Sequence, residues 1–305
     1  MTKKTKAFRA LLQRPGLIIA PGVYDALSAR ICEMVGFEAV SHSGYGTAAA
    51  TLGQPDIGLL DMTEMVRQVG SVANAVEIPV LGDADTGFGN AINAYRTVQE
   101  YIRAGAAGLF IEDQVLPKRC GHMRGKQVIS KQEMLGKLKA AMDARGELDP
   151  DFVIMCRTDA IAVNGFEDAL DRAKAAVDLG VDMIFVEAME TRDQMERVGR
   201  EIKAPLMLNL VEGGRTPLMS YKEAGEMGFK YVVPALTALS AAAKGMYDVM
   251  RRVREDGVSD AYLDRLFSFK EFARIVHLER FRRMEEQYLP SETLEERYKG
   301  ESSIV

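Results

Sequence analysis

Eight short apolar, β-branched runs recur along this 305-residue chain, each followed by a longer segment of helical period. They are Leu17–Ala20, Glu38–Ser41, Ile78–Leu81, Ala107–Ile111, Phe152–Met155, Asp182–Val186, Pro205–Leu208 and Lys230–Val233. Their mean spacing of about 31 residues is that of a strand-helix unit. Gly36, Gly105, Gly180 and Gly228 each stand just before the next strand, where glycine closes a helix in the left-handed conformation. Strands that are apolar throughout, each followed by a helix, predict a parallel sheet buried on both faces. Eight of them predict a closed (β/α)8 TIM barrel. The alternative, an open doubly wound sheet, would carry a glycine-rich phosphate turn after its first strand, and Pro21-Gly22-Val23-Tyr24-Asp25 is not one.

Beyond the eighth run, helices are expected over about Leu239–Asp256 and about Asp264–Gln287. The barrel with these C-terminal helices is expected to form one domain over residues 1–290, and residues 291–305 a polar, mobile tail. With 39 basic against 44 acidic residues, a net charge of −5 and no basic stripe, nucleic acid is excluded as a partner. No apolar run reaches the ~18 residues that span a bilayer, and no apolar stretch follows the charged start as in a secretory signal. The expected location is the cytoplasm. Three cysteines without a CxxC pair exclude a disulfide framework and a zinc site.

Chemistry in a barrel of this kind gathers at the carboxyl ends of the strands. There the sequence places Ser43-Gly44-Tyr45, Asp83-Ala84-Asp85, Glu112, Arg157-Thr158-Asp159, Glu187 and Asn209. Asp83 and Asp85, two apart, point the same way along an extended chain, and Glu112 approaches from the neighbouring strand. An isolated D-x-D is more often a loop cap. Several carboxylates in one cavity, Asp56 among them, need a cation, and oxygen ligands without His or Cys select a hard one such as Mg²⁺. Arg157 at the end of a buried strand suits bidentate binding of a substrate carboxylate, with an ion pair to Glu187 or Asp159 as its competing use. The about 16 residues between strand four and its helix are long enough for a lid. In it, Cys120 is flanked by Lys118, Arg119 and His122, which predicts a thiol of lowered pKa able to exchange a proton with carbon. Cys32 and Cys156 read as core.

In order, S-G-Y at 43–45, L-G-Q-P-D at 52–56, D-A-D-T-G-F-G at 83–89, I-E-D-Q at 111–114, K-R-C-G-H at 118–122, R-T-D-A at 157–160, V-E-A at 186–188 and N-L-V-E-G-G-R-T-P at 209–217 resemble the isocitrate lyase/phosphoenolpyruvate mutase superfamily. The resemblance spans about residues 6–288. It implies a barrel, Mg²⁺ (with Mn²⁺ as substitute) on Asp83, Asp85 and Glu112, and a homotetramer that exchanges its eighth helix between subunits. It implies small 2-hydroxy or 2-oxo dicarboxylate substrates. Cys120, Asp56, Lys118, His122 and Glu187 would be catalytic, and Ser43, Gly44, Tyr45, Gly121, Arg157 and Asn209 would bind substrate.

The K-R-C-G-H loop resembles that of the carbon–carbon lyases. Alignment with the methylisocitrate lyases puts Ser240 and Phe269 where those carry two arginines for an additional carboxylate. The resemblance therefore implies cleavage of a 2-alkylmalate such as 2,3-dimethylmalate to pyruvate and propionate, with 2-methylisocitrate cleavage to pyruvate and succinate, or oxaloacetate hydrolysis, as alternatives.

Overall fold

The computed structural model describes residues 3–299, and the chain divides into two compact units after Ser240. The first unit is an α/β fold around nine strands: β1 (Ile18–Ile19), β2 (Gly22–Val23), β3 (Val40–His42), β4 (Val80–Asp83), β5 (Gly108–Glu112), β6 (Val153–Thr158), β7 (Met183–Val186), β8 (Leu206–Leu210) and β9 (Tyr231–Pro234). All pairings are parallel, in the order β1-β9-β8-β7-β6-β5-β4-β3-β2.

The expected first strand is two pieces. Ile18 and Ile19 pair with Tyr231 and Val232 of β9, whereas Gly22 and Val23 pair with Ser41 and His42 of β3. Pro21, without an N–H, marks the change of partner. Its carbonyl accepts from Ser41 N–H while the Ala20 N–H before it donates to Val232. One six-residue stretch thus carries both ends of the sheet and curls it. Gly22 is required there, since a Cβ would lie 2.0 Å from the Ala235 carbonyl oxygen.

Side chains alternate between two apolar layers, which is why the runs read as continuously apolar. Leu81, Phe110, Met155, Phe185 and Tyr231 face inward, with Phe8 of the helix Lys3–Gln13 set edge-on to Tyr231 at 5.8 Å. Val40, Val80, Leu109, Ile111, Ile154 and Ile184 face outward onto Val69, Val98, Leu138, Leu170 and Val198 of the helices. The predicted helix-closing glycines 36, 105, 180 and 228 all have φ between 93° and 104°.

Several strands run further than their apolar runs, to Asp83, Glu112, Thr158 and Leu210. Glu112 pairs in register with Arg157, and Asn209 with Val233. Backbone pairing continues where side chains turn polar, so Asp83, Glu112, Arg157 and Asn209 are held by strand rather than loop.

Helix Thr237–Asp256 leads into the second unit, which holds a 3₁₀ turn (Asp260–Arg265) and helices Phe269–Ile275, Leu278–Tyr288 and Ser291–Tyr298. The single helix expected over Asp264–Gln287 is broken at His277, whose φ is 57°. Of the expected tail, residues 300–305 lie outside the described residues. No helix among the described residues is long and apolar enough to cross a membrane.

Candidate active site

The strand ends line a cavity of about 250 Å³ that includes Ser43, Tyr45, Asp56, Asp83, Cys120, Gly121, His122, Arg157, Glu187 and Asn209. Asp83, at the end of β4, is gripped by two amides: Gly44 N–H donates to Oδ2 and Asp85 N–H to Oδ1, each at 3.0 Å. Gly44 begins the helix Gly44–Leu52, capped by Ser43, whose Oγ takes the Gly46 amide and whose carbonyl takes that of Thr47. Tyr45, in the first turn of this helix, lines the cavity, where the amides of a helix N-terminus favour negative charge.

The extended Asp83–Asp85 pair expected from the sequence is corrected: β4 stops at Asp83 and Asp85 turns with φ 46°. Asp85 Oδ1 instead meets the buried Lys118 Nζ at 2.6 Å, as does Asp56 Oδ1 at 2.6 Å. Burial opposes the Lys118 charge, but Asp85, Asp56, Glu112 and Asp83 together hold its pKa well above the ordinary lysine value.

Arg157 serves three carboxylates at once. Its Nε lies 2.9 Å from Asp159, and its Nη2 lies 3.2 Å from Glu112 and 3.4 Å from Glu187. The guanidinium also sits over the rings of Phe110 and Phe185, 5.8 and 5.2 Å from their centroids. Its competing use as an ion pair is therefore real, and it lines the cavity as well. Glu187 accepts from Ala188 N–H at 2.7 Å and from Asn209 Nδ2 at 3.3 Å, while Asn209 Oδ1 is buried without a partner.

The lid is a lobe pinched at its base. Gln114 and Val128 form an antiparallel bridge, with Val115 N–H on Gln127 and Ile129 N–H on Asp113. The Gln114 amide brackets the Arg119 backbone with bonds of 2.8 and 3.0 Å. At the tip, Cys120 N–H donates to the Asp56 carbonyl at 3.0 Å. His122 Nδ1 accepts from Arg215 N–H at 3.0 Å, so the neutral ring carries its proton on Nε2, which lies 3.5 Å from Glu187.

The expected lowering of the Cys120 pKa is overturned. Burial pushes the thiol up to about 11, and Asp56 and Glu187 add to the effect. Lys118 is spent on Asp56 and Asp85, and burial lowers the His122 pKa. Cys120 is held as a neutral acid.

Glu112 tests the fit of a metal. It is 1% exposed, neither carboxylate oxygen has a hydrogen-bond partner, and burial pushes its pKa well above the carboxylate range. No group of three or more His, Cys, Asp or Glu among the described residues is close enough to hold a bare ion. Mg²⁺ keeps several waters and takes few protein ligands. An all-oxygen set with a carboxylate that has only the Arg157 ion pair and no hydrogen bond fits such a hydrated cation.

Sequence reasoning missed the support beneath these residues. Asp113, buried, takes the Thr158 hydroxyl at 2.7 Å, Asp159 N–H at 2.8 Å and Arg172 at 3.2 Å. Lys126 reaches Asp159 at 3.0 Å. The only sequence signal for these was the charge of residues flanking apolar strands.

Fold and site together define an α/β protein with a carboxylate-rich mouth under a thiol-bearing lid. The family profile described as phosphoenolpyruvate phosphomutase matches residues 8–254. The chain is 43% identical over 280 residues to 2,3-dimethylmalate lyase of Eubacterium barkeri, covering 92% of this chain and 96% of that one. It is 41% identical over 268 residues to 2-methylisocitrate lyase of Aeropyrum pernix, covering 88% and 85%. A solved oxaloacetate acetylhydrolase in complex with 3,3-difluorooxalacetate superposes with a TM-score of 0.89 at 36% identity, covering 93% of this chain and 96% of that one. The chain belongs to the phosphoenolpyruvate mutase/isocitrate lyase superfamily and is a carbon–carbon lyase of it.

Gly121 gives a sharp test of lid seating. A Cβ there would lie 2.4 Å from Glu187 Cγ and 2.7 Å from Arg157 Nη2. Gly121→Ala is expected to lower kcat/KM about 100-fold with thermal melting unchanged, as checked by steady-state kinetics beside a melting curve.

Proposed function

We propose that the protein is a Mg²⁺-dependent lyase that cleaves 2-alkylmalate-type 2-hydroxy dicarboxylates on a closed (β/α)8 barrel. One observation carries this reading. Of the described residues lining the cavity, Arg157 is the one arginine and none is lysine, while Met123, Val211 and Leu236 contribute apolar wall. Binding a third carboxylate without a cationic partner costs several kcal/mol. A dicarboxylate with an apolar substituent fits better than a tricarboxylate.

In this reading Arg157 and the Tyr45 amide bind the oxygens of the 2-hydroxy acid end, with Ser43 and Gly44 setting that turn. Glu187 and Asn209, with His122 Nε2–H beside them, orient the other end. Asp56 accepts the proton of the 2-hydroxyl, with Lys118 holding its carboxylate in place. The C2–C3 bond then breaks: C2 becomes the carbonyl of pyruvate, and the bonding pair passes to C3 and its carboxylate. Cys120 gives its proton to C3, releasing the saturated acid, and Gly121 lets the lid lie close enough to exclude water. A Mg²⁺ held through Asp83, Asp85 and Glu112 would stabilise negative charge developing on the oxo-acid oxygens. Assembly as a homotetramer with exchanged helices belongs to the same proposal; the exposed Phe267, Phe269, Phe272 and Phe281 of the second unit support it.

The test is an assay with Mg²⁺ and 2,3-dimethylmalate, 2-methylisocitrate or oxaloacetate, following pyruvate and oxalate. 2,3-Dimethylmalate is expected to have the highest kcat/KM. A preference for 2-methylisocitrate by more than about tenfold would overturn the reading, as would oxalate as the main product.

A further inference from the structure

We propose that Lys126 is a positioning residue: seating its ammonium on Asp159 as the lid closes frees the Arg157 guanidinium to take a substrate carboxylate. The inference rests on the dicarboxylate reading above.

Lys126 lies near the base of the lid, yet its ammonium is buried and makes two ties. Nζ donates to the Gly121 carbonyl at the lid tip and to Asp159 Oδ1, the latter at 3.0 Å. The same Oδ1 accepts from Arg157 Nη2 at 3.2 Å, and Oδ2 accepts from Arg157 Nε at 2.9 Å. Asp159 cannot follow the lid, because its own N–H is fixed to Asp113 at 2.8 Å and Asp113 is fixed by Thr158 and Arg172. What changes when the lid lifts is whether Asp159 has one cation or two.

The charge balance makes that change matter. Asp56, Asp83, Asp85, Glu112, Asp159 and Glu187 gather at the mouth, and three cationic side chains touch them. Two of those three, Lys118 and Lys126, arrive on the lid; only Arg157 stands on the barrel. With the lid away, one guanidinium is shared by Asp159, Glu112 and Glu187, and an incoming carboxylate competes with all three for it. With the lid seated, Lys126 offsets Asp159 and Lys118 offsets Asp56 and Asp85. Closure and anion binding therefore favour one another, as linked equilibria must.

Cys120, on the same lid, reports seating without any turnover. The test compares full-length wild type with Lys126→Met, Lys126→Gln and Lys126→Arg by three measurements: the iodoacetamide labelling rate at Cys120, thermal melting, and KM and kcat for 2,3-dimethylmalate. Lys126→Met is expected to label about tenfold faster and to raise KM about tenfold with a smaller change in kcat. Lys126→Gln, which keeps a donor for the Gly121 carbonyl but no charge, is expected to raise KM equally and label more slowly than Lys126→Met. Lys126→Arg is expected to restore both. Wild-type labelling in Lys126→Met and Lys126→Gln overturns the latch whatever the substrate, and a wild-type KM in Lys126→Gln overturns the charge coupling. If wild type cleaves no dicarboxylate, the lyase reading falls, and the labelling rates still decide the latch.

Discussion

Cys120→Ser is expected to fold as the wild type does and to lose cleavage of 2,3-dimethylmalate by about a thousandfold. The expectation follows from what burial does to the thiol. Its pKa is pushed up to about 11, with Asp56 and Glu187 close enough to oppose a thiolate further. A group in that state works as an acid, donating to carbon, and is inactive as a nucleophile or base. Serine keeps the shape and the hydrogen-bonding capacity but holds its proton far more tightly, so the substitution removes acidity alone. The pH dependence has a definite sign. An acid acts while protonated, so activity should be lost as pH rises through about 11, with no fall near the ordinary thiol value of about 8.5. A pH profile of kcat with circular dichroism as the folding control checks both. Retention of a tenth or more of the activity, or an alkaline limb near pH 8.5, counts against the acid role.

The error over this thiol shows which part of a site a sequence displays. Lys118, Arg119 and His122 are neighbours of Cys120 along the chain, and proximity in sequence suggested a field at the sulfur. In space Lys118 turns to Asp56 and Asp85, the Arg119 backbone is bracketed by Gln114, and His122 is oriented by Arg215. Except for Gln114, these partners are separated by many residues, and no spacing rule links them. The strands of the sheet were legible because burial on both faces makes Val153–Met155 or Met183–Val186 apolar at every position. The far ends of the same strands were less so, since Glu112 and Arg157 look like the start of a loop while their backbones are still paired. The divided first strand had a local cause, Pro21, but that change of partner depends on two other strands and is written in neither neighbour. Polar residues at the ends of buried runs have few places to go except the mouth, and of those expected there Arg157, Glu187 and Asn209 line the cavity.

Glu112→Gln should separate stability from function more cleanly than any other change at the site. The carboxylate is buried, both its oxygens lack hydrogen bonds, and among the described residues its ion pair is with an Arg157 already engaged by Asp159 and Glu187. A buried charge so poorly served costs folding free energy, and an amide of the same shape removes that cost. The variant without added metal is expected to melt at or above the wild-type temperature, the pattern of a residue kept for function at the expense of stability. Mg²⁺ should then distinguish the two proteins. At about a hundred times its dissociation constant, a ligand of the folded state adds about 2.7 kcal/mol, which raises the melting temperature of wild type by several degrees. Glu112→Gln should show little of that rise and should lose cleavage activity by about a thousandfold, because the amide attracts a hard cation far less than a carboxylate does. Chelation of wild type with EDTA should mimic the loss of activity and be reversed by adding Mg²⁺. Melting curves with and without Mg²⁺, beside turnover of 2,3-dimethylmalate, decide the matter. A variant that melts well below wild type would make Glu112 a structural partner of Arg157. One that keeps both the Mg²⁺-dependent rise and the activity would remove Glu112 from the proposed metal site.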